Sequence, residues 1–377
     1  MALIVREFDA RQYRSLRSIR FPSERLTVFV GANGVGKTNL YRVLQLLQAS
    51  AAGTLSYELA REGGMESAVW AGKRRKGEPF RIVLSAAFGV PEDVDGAYSY
   101  TVEVGLPSVL PGAFPLEAQV KEERLEFRHR GRKTALMERR GPSMTARDGE
   151  QRVEVSRELL PSETALGAVD EPQRFPEVHA IRRAMLDWRF YHNLRTDPES
   201  ALRKPCLAIT SPTMASDGSN LAAVLATLVH IRKETTDLDR AIDDAFPGAR
   251  LDVPMPERTA SFGMVLPEHP KRVFQASELS DGTLRYLALM GALLSLRLPS
   301  FVALNEPESS LHPELLEPLA RLIVKAAERT QIWLVTHSER LAAALAEHGG
   351  IKPRTVIKKD GETWIEGLKQ IGAFEEE

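Results

Sequence analysis

The chain has 377 residues, of which 43% are hydrophobic and 27% are charged, and its formal net charge is −1. This length allows one large domain with insertions or two lobes, and the near-zero charge means that any nucleic-acid contact would need a local basic patch. The single cysteine, Cys206, excludes an internal disulfide and a thiolate metal site, which fits a reducing compartment. The first residues lack the apolar stretch of a signal peptide, and charges interrupt the most apolar window, 284–304. We therefore expect a cytoplasmic protein with no membrane association.

A glycine-rich loop lies between a predicted strand, Leu26–Val30, and a helix predicted from Lys37 onward. Its letters, GANGVGKT, fit the G-x-x-x-x-G-K-[ST] pattern of phosphate-binding loops. Glycines let backbone N–H groups point at an anion, the lysine interacts with β- and γ-phosphates, and the Thr38 hydroxyl is a magnesium ligand. The predicted phosphate site comprises Gly31, Ala32, Asn33, Gly34, Val35, Gly36, Lys37, Thr38 and Asn39.

The middle of the chain has a different pattern of elements. Short β-like runs separated by Gly, Pro and Asp predict an antiparallel β lobe over 61–175, inserted after the first helix. A mostly helical insertion is predicted over 176–248. The rest, 249–377, returns to strands and then alternates helices with strands, as parallel α/β folds do. We therefore expect an α/β fold whose core combines 1–60 with 249–377.

The stretch ASELSDGTLRYLALMGALLSL predicts a turn followed by a long apolar helix. Ser280 is a candidate N-cap, and Gly282 would allow a close backbone approach at the first turn. The positive end of such a helix can bind an anion such as a γ-phosphate. An ordinary structural cap is the alternative interpretation of the same residues.

The stretch FVALNEPESSLHP predicts a buried strand that ends at Asn305 and Glu306. Ligands of open α/β sheets bind at this end of the strands, where Glu306 could polarise an attacking water as a general base. Position 305 would help to hold magnesium, which prefers a carboxylate. Because an amide keeps the oxygen but loses the charge, we expect weaker magnesium binding and slower turnover with ATP binding largely intact. An incidental Asn-Glu at a strand end is the alternative.

The stretch QIWLVTHSERLAAAL predicts a strand that ends at His337 and is followed by a helix. His337 would lie at the same sheet edge as Glu306 and could reach a γ-phosphate or the attacking water. A histidine with a purely structural role is the alternative.

Taken in order, GANGVGKT, LSDGT, LNEPESSLHP and VTHS resemble the motifs of ABC-type ATPases of the SMC and RecF group. The resemblance is closer to short RecF-like ATPases of the AAA family that lack long coiled coils, and it covers roughly 1–60 and 270–345. It implies a P-loop NTPase of the ABC/SMC-head type, with a mixed sheet core, that uses ATP and Mg²⁺. The long segment between the first two motifs sets the chain apart from membrane transporter ATPases, so a transporter subunit is disfavoured.

The resemblance also implies roles for particular residues. The signature motif, Ser280, Asp281 and Gly282, would contact ATP bound to a second copy, so that two chains enclose two nucleotides in an ATP-dependent homodimer. Asn33 would help to position the γ-phosphate, residues 309–312 would cross between subunits, and His337 would be the switch histidine. Asn305, Asp281 and His312 depart from the pattern of related ATPases, and among these only Asn305 bears on the chemistry.

Two segments could form a basic patch that contacts duplex DNA. Residues 73–81 carry five Lys/Arg and one Glu, and residues 121–140 carry eight Lys/Arg and four Glu. Basic hairpins of this kind could neutralise DNA phosphates. Solvated strand faces and turns are an equally good interpretation, because few aromatic residues interleave the charges.

Two functions remain open. The first is an ATPase of the RecF/SMC type, with Glu306 and His337 as catalytic residues and Thr38 and Asn305 as metal ligands, coupled to DNA repair or to anti-phage defence. The second is a nucleotide-dependent switch or scaffold with little hydrolysis that regulates a partner effector protein; Asn305 motivates it.

Overall fold

The computed structural model describes residues 3–73, 77, 79–90, 93–107, 113–155, 158–192, 194–233 and 235–374. Its strands are β1 (Ile4–Tyr13), β2 (Leu16–Pro22), β3 (Leu26–Val30), β4 (Arg81–Val90), β5 (Asp93–Gly105), β6 (Gln119–His129), β7 (Arg132–Arg140), β8 (Ser143–Asp148), β9 (Gln151–Glu154), β10 (Arg189–Tyr191), β11 (Cys206–Leu207), β12 (Arg250–Asp252), β13 (Thr259–Ala260), β14 (Gly263–Val265), β15 (Val273–Gln275), β16 (Phe301–Asn305), β17 (Gln331–Thr336), β18 (Arg354–Lys359) and β19 (Glu362–Ile365).

The helices of the same residues are α1 (Lys37–Ala52), α2 (Leu55–Arg61), α3 (Gly64–Ala68), α4 (Ala165–Ala168), α5 (Pro176–Asp187), α6 (Leu221–Ala226), α7 (Thr236–Ala245), α8 (Asp281–Leu294), α9 (Leu316–Ala327) and α10 (Glu339–Gly349). A π-helical segment, Thr227–Arg232, continues α6. Short 3₁₀ turns occupy Ala201–Arg203, Ala276–Glu278 and Pro313–Leu315.

The chain divides into two compact units. The first unit comprises residues 1–24, 31–188 and 354–377, and the second comprises residues 25–30 and 189–353. Each unit is described separately below.

The sheet of the first unit has the strand order β2-β1-β4-β5-β6-β7-β8-β9. All of its neighbouring strands are antiparallel. Apolar residues on one face of this sheet are buried, as alternating side-chain directions require. Phe8, Phe21, Phe88 and Trp188 pack together there, with ring centroids 5.6 to 6.2 Å apart. The predicted antiparallel meander is therefore part of a larger sheet that also includes β1 and β2.

Helix α1 of the first unit is amphipathic, as its sequence predicts. Leu40, Val43, Leu44 and Leu47 recur at helical spacing and are buried. Near its C-terminus, Gln48 donates hydrogen bonds from Nε2 to the carbonyl oxygens of Met185, at 3.3 Å, and Trp188, at 2.8 Å. The long helix that follows the glycine-rich loop is thus packed on α5.

The second unit contains a parallel sheet in the order β10-β16-β17-β3. Its register pairs Asn305 with Val335 and Thr336 with Val30, so β16, β17 and β3 end at one edge. Every residue of β17 is buried, and most of β16 and β3 is buried as well, which is typical of strands with helices on both faces. Helix α8 is buried from Leu284 onward and belongs to the same core.

The elements after residue 280 follow the predicted order of helix and strand: α8, β16, α9, β17, α10 and β18. Strands β18 and β19 then form a hairpin in which Lys359 pairs with Glu362. In the described part of the chain no helix has both the length and the apolar character of a membrane span.

The region after α1 differs from its sequence pattern. Two short helices, α2 and α3, precede β4, where β-like runs were expected. Leu55 and Leu59, four residues apart, are both buried on one side of α2, which explains why a helix forms there. The boundaries proposed at residues 60, 175 and 248 stay a prediction.

Candidate functional site

The glycine-rich loop belongs to the first unit and follows directly on β3 in the chain. Its residues are Gly31, Ala32, Asn33, Gly34, Val35 and Gly36, and α1 then begins with Lys37, Thr38 and Asn39. Lys37 is buried, and its Nζ donates to the carbonyl oxygens of Gly31, at 2.5 Å, and Ala32, at 2.8 Å. The lysine thus closes the loop on itself.

The first turn of α1 suits an anionic ligand. Its N-cap, Gly36, makes no side-chain cap hydrogen bond, and the turn contains no acidic residue. The positive end of the helix dipole therefore faces a position that an anion can take. Asn33 and Thr38 are exposed, so neither side chain is used in the fold.

Residues far away in the sequence brace this loop within the first unit. Gly36 has φ 99°, and a Cβ there would lie 1.9 Å from the Thr363 hydroxyl, so only glycine fits. The Thr363 Oγ1 donates to the carbonyl oxygen of Val35 at 2.7 Å and is 2.6 Å from the Ser15 Oγ. Asn39 Nδ2 donates to the same Ser15 oxygen at 2.6 Å. The β1–β2 turn and β19 thus hold the loop, and the Asn39 side chain is occupied by this bracing.

In the second unit, β16 ends at Asn305 and Glu306 follows it. Glu306 has φ 48°, a left-handed conformation that non-glycine residues rarely adopt, and its backbone N–H donates to the Val335 carbonyl oxygen at 2.8 Å. The side chain is about one-third exposed, at 35%. This backbone turn points the carboxylate away from the strand and toward solvent.

The Asn305 side chain provides a test of the expected metal site. Its Oδ1 is buried and has no hydrogen-bond partner within the described residues. A buried carbonyl oxygen without a donor is unfavourable unless a water or a cation completes it, and magnesium prefers oxygen ligands. Asn305 and the exposed Thr38 hydroxyl therefore fit the donor chemistry of magnesium.

His337 follows β17, next to β16 in the sheet of the second unit. Its Nδ1 is 3.1 Å from Glu308 Oε1 and 3.9 Å from Glu306 Oε1. The sheet thus brings Glu306 and His337 together, as their positions at the ends of parallel strands predict. The closer partner, Glu308, was not among the predicted site residues; its only sequence signal is its place in the EPE run.

Arg285, on α8, is a second residue that the sequence patterns did not reveal. It is 8% exposed, and its guanidinium donates to the carbonyl oxygens of Leu194, at 3.1 Å, and Glu306, at 3.3 Å. Burial lowers the pKa of Arg285, and the carboxylates of Glu308 and Glu306 oppose that shift. The buried Arg285 guanidinium therefore places a positive charge near the carboxylates of Glu308 and Glu306.

The start of α8 has the predicted cap. Ser280 Oγ accepts a hydrogen bond from the Thr283 backbone N–H at 3.1 Å. Asp281 Oδ1 is 2.6 Å from the Arg203 guanidinium, which also donates to the carbonyl oxygens of Leu279, at 2.8 Å, and Ser277, at 3.1 Å. Arg203 therefore fixes the turn that enters α8, and Asp281 has a structural partner.

The start of α8 lies against the loop of residues 309–312 in the second unit. A Cβ at Gly282 would lie 3.0 Å from the Ser310 carbonyl oxygen, and Ser310 has φ 65°. His312 caps the 3₁₀ turn that follows. An open cavity of about 580 Å³ is lined by Ser280, Gly282, Ser310, His312 and neighbouring residues. The predicted signature residues and the predicted subunit-crossing loop thus form one surface.

One protein-family model matches most of the chain. Residues 26–343 match the family model described as "AAA domain, putative AbiEii toxin, Type IV TA system". The comparison with curated proteins gave no match.

Several solved structures have a similar fold. The SMC head bound to the C-winged helix domain of ScpA is 16% identical, with a TM-score of 0.54 and 96% of each chain covered. The SMC head of Pyrococcus furiosus, bound to the C-terminal domain of ScpA, is 13% identical, with a TM-score of 0.55 and 96% coverage of each. The SMC head of Pyrococcus yayanosii, with a coiled coil and joint, is 11% identical, with a TM-score of 0.51 and 98% coverage of each.

These similarities confirm the expected fold class, a P-loop NTPase with an SMC head-like α/β fold. The family match covers more than four-fifths of the chain and includes the phosphate loop, the start of α8, Glu306 and His337. The chain belongs to the family described as "AAA domain, putative AbiEii toxin, Type IV TA system" and has the fold of an SMC/RecF-like ABC-type ATPase.

Proposed function

We propose that the protein binds ATP and hydrolyses it to ADP and phosphate, and that ATP closes a head-to-head homodimer coupled to DNA repair or anti-phage defence. The observation that carries the proposal is the sheet edge of the second unit. There Glu306 and His337 follow two hydrogen-bonded parallel strands, and the Asn305 oxygen has no hydrogen-bond partner among the described residues. Strand ends of α/β sheets are the usual place for a reacting ligand.

In this proposal the phosphate loop holds the β- and γ-phosphates. The Lys37 ammonium exchanges its two loop carbonyl partners for phosphate oxygens, and the uncapped first turn of α1 donates backbone N–H groups. Glu306 accepts a proton from the attacking water, and His337 donates a hydrogen bond to the γ-phosphate. The half-exposed ring of His337 and the one-third exposed carboxylate of Glu306 are accessible for these roles.

Thr38 and Asn305 would hold the magnesium ion. When bound, magnesium supplies positive charge that neutralises the phosphate oxygens. Asn305 would contribute a neutral oxygen, so we infer a lower affinity for magnesium than a carboxylate would give.

The homodimer would use the surface formed by the start of α8 and residues 309–312. The first turn of α8, with Ser280 and Gly282, lines its cavity, and the positive end of this helix suits a phosphate of the nucleotide bound by a second copy. Arg203 supports this surface from behind, because it holds both Asp281 and the turn before α8.

Duplex DNA is the proposed macromolecular partner, and the β6–β7 hairpin is the best supported surface for it. Four exposed cations, Arg128, Arg130, Arg132 and Lys133, lie at the tip of this hairpin. Within the described residues no acidic side chain pairs with any of them. Clustered cations without acidic partners are available to bind DNA phosphates. We call these four residues the hairpin tip.

Several other charges of the two basic segments have partners. Arg139 is buried and bonds to backbone carbonyl oxygens, and Arg124 pairs with Glu126 and Glu138. In segment 73–81, residues 74–76 and 78 lie outside the described residues, and Arg81 pairs with Glu103. The hairpin tip therefore carries the DNA proposal.

A nucleotide-dependent switch that presents an effector protein is the second candidate. Asn305 favours it, because an amide in place of a carboxylate reduces the charge available for magnesium. Two of the SMC heads with a similar fold are bound to domains of ScpA, which supports a protein partner of this kind.

One experiment distinguishes the two candidates. Steady-state ATP hydrolysis is measured for the wild type, Glu306→Gln and Lys37→Ala, with Glu328→Gln as a control that removes an exposed carboxylate on the same unit. Hydrolysis should fall at least about 100-fold in Glu306→Gln, the usual loss for a general base, and should vanish in Lys37→Ala. Turnover that survives in Glu306→Gln contradicts the assigned base, and a wild type that binds ATP without turnover favours the switch.

The same samples test the homodimer by light scattering. Glu306→Gln with ATP and magnesium should reach twice the 41.9 kDa mass of one chain, because the nucleotide is retained. A monomeric mass for both the wild type and Glu306→Gln under these conditions contradicts the ATP-dependent homodimer.

A further inference from the structure

Glu308 is a buried carboxylate outside the roles assigned so far. Its side chain is only 5% exposed, although it lies two residues from the partly exposed Glu306. Its Oε1 accepts a hydrogen bond from the Thr336 hydroxyl at 2.6 Å and from the His337 backbone N–H at 3.0 Å. Two donors from one strand end thus fix the position of this oxygen.

The same oxygen lies 3.1 Å from Nδ1 of His337. In a hydrogen bond between these two groups the proton would belong to Nδ1, because an ionised carboxylate can only accept hydrogen bonds. In the neutral imidazole the other ring nitrogen, Nε2, then has a free lone pair, and in the charged ring it has an N–H. A hydrogen bond at this contact would set both the orientation and the tautomer of His337.

Arg285 and two hydrogen-bond donors interact with this carboxylate. Arg285 interacts with the Glu308 carboxylate more strongly than with that of Glu306. The hydrogen bonds from Thr336 and His337 also stabilise the anion. Its Oε1 thus has two donors, whereas its Oε2 is buried and has no hydrogen-bond partner among the described residues.

We propose that Glu308 is a positioning residue, which holds His337 through Nδ1 and so presents Nε2 to the ligand. This inference rests on the proposed function for the ligand, a nucleotide phosphate, but the geometry of Glu308 and His337 is independent of it. A carboxylate that orients a functional histidine through its second nitrogen is a common arrangement in active sites.

The first test is the tautomer of His337 in the wild-type protein. Long-range ¹H–¹⁵N spectra of protein with labelled histidine are recorded near neutral pH, and His337→Gln assigns the signal by its loss. We expect Nδ1 to carry the proton in the neutral ring. A neutral ring protonated on Nε2 would overturn the proposal, and this measurement needs neither ATP nor a stable variant.

Two variants separate positioning from packing. Glu308→Met keeps the length of the side chain and removes the acceptor, whereas Glu308→Gln keeps an acceptor oxygen. In Glu308→Met we expect a mixture of both tautomers at His337, and in Glu308→Gln the Nδ1–H form should remain. Identical spectra for the two variants would overturn the proposal, because a filler of space would tolerate both.

A matched control removes a carboxylate from another histidine of the second unit. Glu317 contacts His348 Nε2, so Glu317→Met should change the signals of His348 and leave those of His337 unchanged. If the protein hydrolyses ATP, kcat in Glu308→Met should fall about 10- to 100-fold, the usual cost of losing such a partner, with KM within about twofold. If the protein does not hydrolyse ATP, kcat cannot be measured. The spectra would still decide the role of Glu308.

Discussion

Two residues at the end of β16 have unfavourable local features: Glu306 has a strained backbone, and Asn305 has a buried oxygen without a hydrogen-bond partner among the described residues. Glu306 adopts a left-handed backbone conformation at φ 48°, which costs about 1–3 kcal/mol for a non-glycine residue. Beside it, the buried Asn305 oxygen has no donor among the described residues. Uncompensated features of this kind persist when the surrounding structure holds them in place, and they concentrate at ligand sites. Asn305 therefore offers the most direct test of the metal site.

Replacing Asn305 with aspartate should strengthen magnesium binding. Because the new carboxylate adds a charge at an oxygen of the same reach, the half-saturating magnesium concentration for binding of a non-hydrolysable ATP analogue should fall about tenfold. Turnover should rise in parallel if the protein hydrolyses ATP. Asn305→Ala is the control and should raise the magnesium requirement. Equal magnesium requirements for all three proteins would show that position 305 is not a ligand.

At the scale of elements, a buried carboxylate joins the β sheet of the first unit to α4. Glu123 on β6 is 1% exposed and accepts hydrogen bonds from the backbone N–H groups of Ala165, at 2.5 Å, and Leu166, at 2.7 Å. The residue before α4, Thr164, donates to the Ser50 carbonyl oxygen of α1 at 2.5 Å. Glu123 thus connects the sheet with the C-terminal half of the helix that follows the phosphate loop.

Burial raises the pKa of Glu123 above its usual value of 4.5, against the opposing effect of its hydrogen-bond donors. The folded protein therefore binds this proton more tightly than the unfolded chain, so the free energy of unfolding decreases as pH rises from about 4.5 through the raised pKa. The stability of the wild type relative to Glu123→Gln should fall over this range, by at most about 1.4 kcal/mol per pH unit. Denaturant unfolding of both proteins from pH 4 to pH 8 measures the difference. A relative stability that increases with pH would show that the donors outweigh burial.

The net charge of the whole chain is near zero, but the charge differs from one part of the surface to another. The outer face of the first unit's sheet carries ion pairs, such as those of Arg11 with Asp9 and Arg124 with Glu138. The hairpin tip differs because its four cations lack acidic partners among the described residues. Exposed ion pairs contribute little to stability and reduce the charge available to a polyanion, so the hairpin tip should dominate any DNA binding.

Removing the four charges of the hairpin tip, by serine at Arg128, Arg130, Arg132 and Lys133, should weaken binding to duplex DNA at least about tenfold at 0.1 M salt. The slope of log K against log salt should become shallower by about 3–4, as expected for four lost phosphate contacts. Fluorescence anisotropy with a labelled duplex measures both quantities. The control removes four ion-paired arginines, Arg61, Arg124, Arg152 and Arg174, and thus the same total charge. Equal losses in the two variants would show a general charge effect rather than a site.

The sequence by itself indicated the glycine-rich loop, the start of α8, the strand ends at Glu306 and His337, and the α/β order of the last hundred residues. Each depends on neighbouring residues: the glycine-rich run shapes the phosphate loop, Ser280 caps α8, and strands β16 and β17 place Glu306 and His337 at one edge. These patterns could be read because local backbone geometry and burial set them within a few residues of the motif.

Only the tertiary structure decided which distant residues support those motifs. Arg203 pairs with Asp281 from 78 positions away, Glu308 accepts from His337 across 29, and Thr363 braces the loop at Val35 across 328. A single charged or hydroxyl residue has no periodic pattern, so its sequence context does not indicate a partner. Such contacts arise because folding buries these groups, and a buried polar group must find a hydrogen-bond partner wherever the chain brings one near.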